Sequence, residues 1–164
     1  MKLRALQEKD AEFMLEWMHD ENVYSFLEKD FSHMTIENCQ EFISEAAALS
    51  GSSRHYAITD ESDEYMGTIS LKNIEWDEKR AEYAISCRSK AMGKGFARAA
   101  TEELFRIAFE ELGLKLLYLN VYENNIRAQK LYQKVGFCQT KKPEFLKEEW
   151  DSRLLWFEKR DDAA

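Results

Sequence analysis

The stretch Arg88-Ser89-Lys90-Ala91-Met92-Gly93-Lys94-Gly95-Phe96-Ala97-Arg98 places a basic, glycine-flanked turn between a short apolar strand and an amphipathic helix. A helix that starts near Gly95 leaves its first N–H groups without intrahelical partners, with the positive end of the helix dipole behind them. That end favours an anion. Gly93 and Gly95 let the main chain approach phosphate oxygens and take positive φ, while Lys90, Lys94 and Arg98 add mobile positive charge. Read alone, the turn fits a diphosphate site and equally a loop that binds nothing.

Before the turn, residues 55–59, 65–74 and 80–87 are rich in β-branched and aromatic side chains. The polar segments 61–64 and 76–79 separate them, which predicts an antiparallel meander. Further upstream, residues 2–6 read as a first strand. Phe13 and Trp17, then Met14 and Met18, recur at helical spacing until His19-Asp20-Glu21-Asn22 breaks the pattern. Thr35 caps a second helix carrying Ile36, Cys39, Ile43 and Ala46. After the turn, Ala97, Ala100, Leu104, Ile107, Ala108 and Leu112 form an apolar stripe that stops at Gly113. Residues 114–121 are almost all apolar, as expected of a central strand covered on both faces and parallel to the strand before the turn. A further helix starts at Asn124 or Asn125, presents Ala128, Leu131, Tyr132 and Val135, and closes at Gly136. Residues 137–140 and 153–157 supply two last strands. The order predicts an α/β (α+β) fold in a single domain over residues 1–164: a mixed, mostly antiparallel sheet of about six or seven strands with about four helices.

Composition narrows the function classes. The chain has 164 residues, 45% of them hydrophobic, enough to bury one core without staples. No apolar run is long enough to span a membrane. The opening Met1-Lys2-Leu3-Arg4-Ala5-Leu6-Gln7-Glu8 lacks the apolar core of a secretory signal, so a cytoplasmic location is expected. Cys39, Cys87 and Cys138 lie far apart without nearby histidines, which argues against disulfides and a metal site and predicts buried thiols. The net charge of −8 weighs against nucleic acid and favours cationic partners.

Two motifs in order carry a family resemblance. The turn Lys90-Ala91-Met92-Gly93-Lys94-Gly95-Phe96-Ala97, followed by Asn125-Ile126-Arg127-Ala128-Gln129-Lys130-Leu131-Tyr132-Gln133-Lys134-Val135-Gly136-Phe137, resembles the Gcn5-related N-acetyltransferase (GNAT) family over essentially the whole chain. The Leu3-Arg4 opening and Trp17-Met18-His19-Asp20 resemble the branch that holds the Rim-type ribosomal-protein acetyltransferases and many small-molecule relatives. The resemblance implies acetyl-CoA as co-substrate, a sheet splayed at its site, and direct transfer of acetyl to an amine without an acyl-enzyme. It implies that the N–H groups of Gly93, Lys94, Gly95, Phe96, Ala97 and Arg98 receive the pyrophosphate, with Lys90 and Met92 in the same turn. Lys90 stands where the family carries Gln or Arg. By the same resemblance, the backbone of Ile85, Ser86 and Cys87 pairs with the pantetheine arm like an added strand, and Asn125 contacts the cofactor while also serving as an N-cap.

Tyr132 matches the family tyrosine near the thioester sulfur, whose implied task is to protonate the leaving thiolate. The plainer reading is a core aromatic. An alkylammonium with pKa about 10.4 is neutral only about once in 2,500 molecules at pH 7, a cost of ~4.6 kcal/mol, so a base must help. Glu82 is the candidate, because strand alternation puts Glu82, Ala84 and Ser86 on one face and Tyr83, Ile85 and Cys87 on the other. It can take the proton, attract the cationic substrate, or simply be a solvated strand residue. His19, His33 and His55 read as structural, and Cys87 lacks the histidine that nucleophilic catalysis needs. The segment from Trp17 to Phe31, with Trp17, Tyr24 and Phe26, and also Trp76, is the candidate acceptor wall. The expected function is acetylation of a primary amine on a small molecule, an amino sugar or a polyamine-like compound. A Rim-type protein N-terminal acetyltransferase and a non-catalytic acyl-CoA sensor are the alternatives. A homodimer is plausible for the family.

Overall fold

Caps and apolar stripes act together to start the helices where they stand. In the computed structural model, which describes residues 1–27 and 29–162, β1 (Lys2–Ala5) leads through a 3-10 turn into α1 (Ala11–Met18). Met14, Trp17 and Met18 form the buried side of α1. The break expected at residues 19–22 falls at His19 and Asp20, and a short helix, α2 (Glu21–Tyr24), follows at once because the Asp20 side chain accepts from Asn22 N and caps it. Thr35 caps α3 (Ile36–Ala46) as expected: its side chain accepts from Asn38 N while Asn38 reaches back to the cap N–H.

The meander follows as β2 (Arg54–Thr59), β3 (Tyr65–Glu75) and β4 (Arg80–Cys87), each antiparallel to the last. Beyond the glycine turn come α4 (Phe96–Phe105), β5 (Leu116–Tyr122), α5 (Ile126–Val135), β6 (Cys138–Thr140) and β7 (Leu154–Arg160). The chain after α4 continues over Arg106–Glu111 in wider π-helical turns, where Leu112 N donates to Ile107 O at 2.9 Å, a feature the apolar stripe does not reveal. All seven strands join one sheet in the order β1-β2-β3-β4-β5-β7-β6, with β4 and β5 as its parallel pair.

Alternation along the strands feeds two cores. Tyr56, Ile58, Ile69, Leu71, Tyr83, Leu117 and Leu119 pack with Ala100 and Leu104 of α4 and Tyr132 of α5. Ala57 and Tyr65 join Met14, Trp17, Cys39 and Ile43 from α1 and α3. The helices therefore cover the sheet in two layers, α1 and α3 with one core and α4 and α5 with the other. Among the described residues, no helix is long and apolar enough to cross a membrane, and no cluster of three or more His, Cys, Asp or Glu side chains stands ready for a metal. Of the three thiols expected to be buried, only Cys39 is; Cys87 is half-buried and Cys138 exposed. Cys138 sits on β6, the last strand of the sheet, where a side chain can face water.

Candidate functional site

The parallel pair comes apart where the site begins. β4 and β5 pair at Arg80↔Leu116, Ala81↔Leu117 and Glu82↔Tyr118, and the register stops there, while β4 keeps pairing with β3 through Cys87. Main-chain groups of Tyr83 to Cys87 on the β5 side are thus left to an outside partner, which an extended chain carrying amides can supply. A cavity of about 1260 Å³ runs through this gap, lined by Tyr83 to Cys87 of β4 and by Asn120 to Tyr122 of β5. That exceeds the roughly 300–1,000 Å³ of an ordinary ligand pocket, so it has room for a long ligand and a second one.

Among the residues singled out from sequence, Glu82, Ile85, Ser86, Cys87 and Tyr132 line this cavity. Met92, Gly93, Gly95, Ala97, Arg98 and Asn125, on the glycine turn, α4 and the cap of α5, line it as well. Gly93 and Gly95 both take positive φ, +76° and +83°. Gly95 is the N-cap of α4 and brings no side chain to the helix's first N–H groups, which leaves them open to an anion. Lys90, Lys94 and Phe96 do not line the cavity. Lys90 is held by Glu64 at 2.7 Å, and Phe96 packs against the core. Arg88 is turned inward instead: it donates to Glu16 at 2.7 and 3.1 Å, to Glu64 at 2.9 Å and to Tyr65 O at 2.9 Å, and it stacks 4.0 Å from the Phe13 ring.

Arg127 was not singled out, yet it lines the cavity at the first turn of α5. A Cβ placed on Gly93 would lie 3.7 Å from its guanidinium, so it stands over the glycine turn. Its place two residues after the capping Asn125 was the signal available in the sequence. Asn125 itself accepts from Ala128 N at 3.2 Å and so caps α5.

Tyr132 projects from α5 into an aromatic nest, with ring centroids 5.7 Å from Tyr83, 5.8 Å from Phe137 and 6.1 Å from Phe157. Burial, with Cys87 nearby, pushes its phenol well above the ordinary range, so it stays protonated and can donate. Burial also pushes the Cys87 thiol up to about 12, which removes it as a nucleophile at neutral pH. On the opposite face, the Glu82 carboxylate accepts from Asn73 Nδ2 at 3.1 Å and lies 3.5 Å from Lys72 Nζ. Its side chain is 16% exposed.

The proposed acceptor wall is assembled in part. Val23, Phe26, Leu27 and Phe31 line the cavity. Trp17 stands behind them, buried, with its indole donating to Tyr65 Oη at 2.8 Å and its ring 5.1 Å from Phe31. Tyr24 and Trp76 are not in the lining, and Trp76 lies outside under Arg54. Glu28, inside the segment, is beyond the described residues. Ser89 Oγ donates to Asp20, which ties the start of this wall to the glycine turn. The histidines do structural work: His19 Nε2 meets Met34 O at 2.7 Å, His33 pairs with Asp30 on the surface, and His55 Nδ1 meets Ser70 Oγ at 2.6 Å beside Phe42.

Comparison with known proteins agrees with this geometry. The family model for the acetyltransferase (GNAT) domain matches residues 1–138. A spermidine N(1)-acetyltransferase of Vibrio cholerae is 25% identical over 139 residues, 85% of this chain and 79% of its own length. That of Escherichia coli K12 is 35% identical over 74 residues, 45% of this chain and 40% of its own. The crystal structure of spermidine N-acetyltransferase from Vibrio cholerae in complex with CoA and spermine superposes with a TM-score of 0.82 at 23% identity, over 97% of this chain and 94% of that one. These relatives are spermidine acetyltransferases and do not support the Rim-type branch that the opening residues resemble.

Proposed function

The chain belongs to the GNAT acetyltransferase family, and we propose that it transfers the acetyl group of acetyl-CoA directly to a primary amine of a small, polyamine-like molecule. One observation carries the reading: a single cavity passes through the gap between β4 and β5, with Tyr132 lining it from one face and Glu82 from the other. A thioester lying in that gap has a proton donor on one side and a base on the other.

Acetyl-CoA is the first substrate. Its diphosphate goes to the N–H groups at the start of α4, with Arg98 and Arg127 as counter-charges, and its amide arm to the free edge of Ile85, Ser86 and Cys87. The acceptor ammonium loses a proton to Glu82, directly or through water, and its nitrogen attacks the thioester carbon. The new C–N bond forms as the C–S bond breaks, the departing sulfur takes a proton from Tyr132, and the second proton that the nitrogen sheds on becoming an amide returns to the Tyr132 oxygen through water. Backbone groups carry most of the phosphate binding, so Lys90 in its pair with Glu64 takes nothing from it.

The relatives' named substrate, spermidine, supports a small amine over a protein N-terminus. A cytoplasmic setting and a homo-oligomeric state are part of the proposal, the latter because a Vibrio cholerae spermidine N-acetyltransferase has a dodecameric structure. The test is release of free thiol from acetyl-CoA with spermidine, glucosamine and an N-terminal peptide offered in turn. Turnover with spermidine supports the reading. Tight CoA binding with no turnover of any amine points to a sensor instead.

A further inference from the structure

One amine of this chain already stands at the carboxylate the reaction needs. Lys72 on β3 faces Glu82 on β4 across the antiparallel register, and both line the cavity. Its Nζ lies 3.5 Å from Glu82 Oε2, while Asn73 occupies Oε1. The pair is not locked. The Lys72 side chain is 40% exposed, and a lysine is a compact ammonium on a flexible four-carbon stem that can swing away. On the same side stands His55, which burial and the Lys72 charge hold towards its neutral form. Lys29 also lines the cavity but lies over the Phe31 ring, its Nζ 5.3 Å from the centroid.

We propose that Lys72 is a built-in competitor for the acceptor: its ammonium sits on Glu82 in the seat of the acceptor's ammonium, and substrate binding exchanges one for the other. The inference rests on reading Glu82 as the acceptor's base or anchor. It also narrows the substrate class. A seat filled by a primary ammonium on an unbranched methylene stem suits another of the same kind, a linear aminoalkyl chain. An amine borne on a sugar ring brings its nitrogen on a branched carbon flanked by hydroxyls. The apolar wall of Phe26, Leu27 and Phe31 offers methylenes a surface and offers hydroxyls no partner.

The exchange has a measurable cost. Even at the dielectric of water, pulling apart opposite charges about 4 Å from each other costs the equivalent of roughly fivefold in affinity, and more in a partly enclosed cavity. The experiment measures kcat and KM for spermidine at saturating acetyl-CoA in the wild type, Lys72→Gln and Lys72→Arg. Lys72→Gln is expected to lower KM at least fivefold with kcat within about threefold, whereas Lys72→Arg, which keeps the cation, stays within about twofold of the wild type. Calorimetric binding of spermidine to the CoA-bound protein closes a double-mutant cycle. In a Glu82→Gln background the gain from Lys72→Gln should vanish. A KM that is unchanged or raised in Lys72→Gln overturns the proposal, as does a gain that persists without the Glu82 carboxylate. Failure of the wild type to turn over any amine defeats the acetyltransferase reading itself, and does so before any variant is compared.

Discussion

In the proposed reaction Tyr132 and Glu82 divide the proton traffic between the two faces of the sheet, and each role has its own kinetic signature. Removing the Tyr132 hydroxyl leaves the ring in its nest against Tyr83, Phe137 and Phe157, so Tyr132→Phe should fold and bind acetyl-CoA as the wild type does. Its kcat is expected to fall at least ~100-fold, the usual scale of a lost general acid. An unchanged kcat removes the proposed role. Because burial raises the phenol's pKa, Tyr132 contributes no alkaline limb to the rate profile between pH 7 and 10, and an observed limb there must have another origin. For Glu82→Gln the expected loss is partly recovered at high pH, where more of the acceptor amine is already neutral. A loss independent of pH assigns Glu82 to holding the acceptor.

At the scale of elements, the site depends on how β3, β4 and the glycine turn are spaced. A Cβ on Gly67 would meet Ser86 O at 2.5 Å and Cys87 Cα at 3.0 Å, both main-chain atoms of the β4 stretch that faces the gap. Gly67→Ala should therefore push β4 outward, cost about 1–3 kcal/mol in denaturant unfolding and raise KM for acetyl-CoA. Gly95→Ala meets open space, so its penalty comes from the positive φ alone, about 1–2 kcal/mol, and a fold as stable as the wild type would show that the turn relaxes. The strands, the Thr35 cap and the Asn125 cap were legible in the sequence, since each is set by neighbours within one turn or one strand. α2 was not, because Asp20 reads both as a helix breaker and as a cap. Nor was the pairing of Lys72 with Glu82. Alternation tells which face a side chain takes, but the residue opposite depends on register, here interrupted between Lys72 and Glu75. The same limit hid Lys90, whose partner Glu64 lies on another strand's approach.

Across the whole molecule, two cores on opposite faces of one sheet must hold the glycine turn still, and buried Arg88 ties the start of that turn to the α1 side. Its side chain is 6% exposed and joins Glu16 of α1, Glu64 and Tyr65 O at the start of β3 and the chain leading into the turn. Arg88→Leu takes the guanidinium donor from that carbonyl, but the two carboxylates at 48% and 31% exposure stay partly hydrated. The expected loss therefore falls at or below the low end of the ~3–5 kcal/mol seen when a buried pair is broken, read by denaturant unfolding. Acid acts on the same seam from outside. Lys90 and Arg88 hold Glu64 below the usual carboxylate range, and Lys9 and Arg4 hold Asp63 down to about 2. A carboxylate whose pKa is depressed by folding stabilises the fold fully above its unfolded pKa, and that contribution is lost as pH falls through the folded value. Melting temperature should thus hold between pH 7 and 5 and drop as pH falls from about 4 towards 2. Asp63→Asn, which removes the partner shared by Arg4 of β1 and Lys9, should lower the plateau slightly and flatten the descent. A variant that melts along the wild-type curve down to pH 2 would place the acid-sensitive contacts elsewhere.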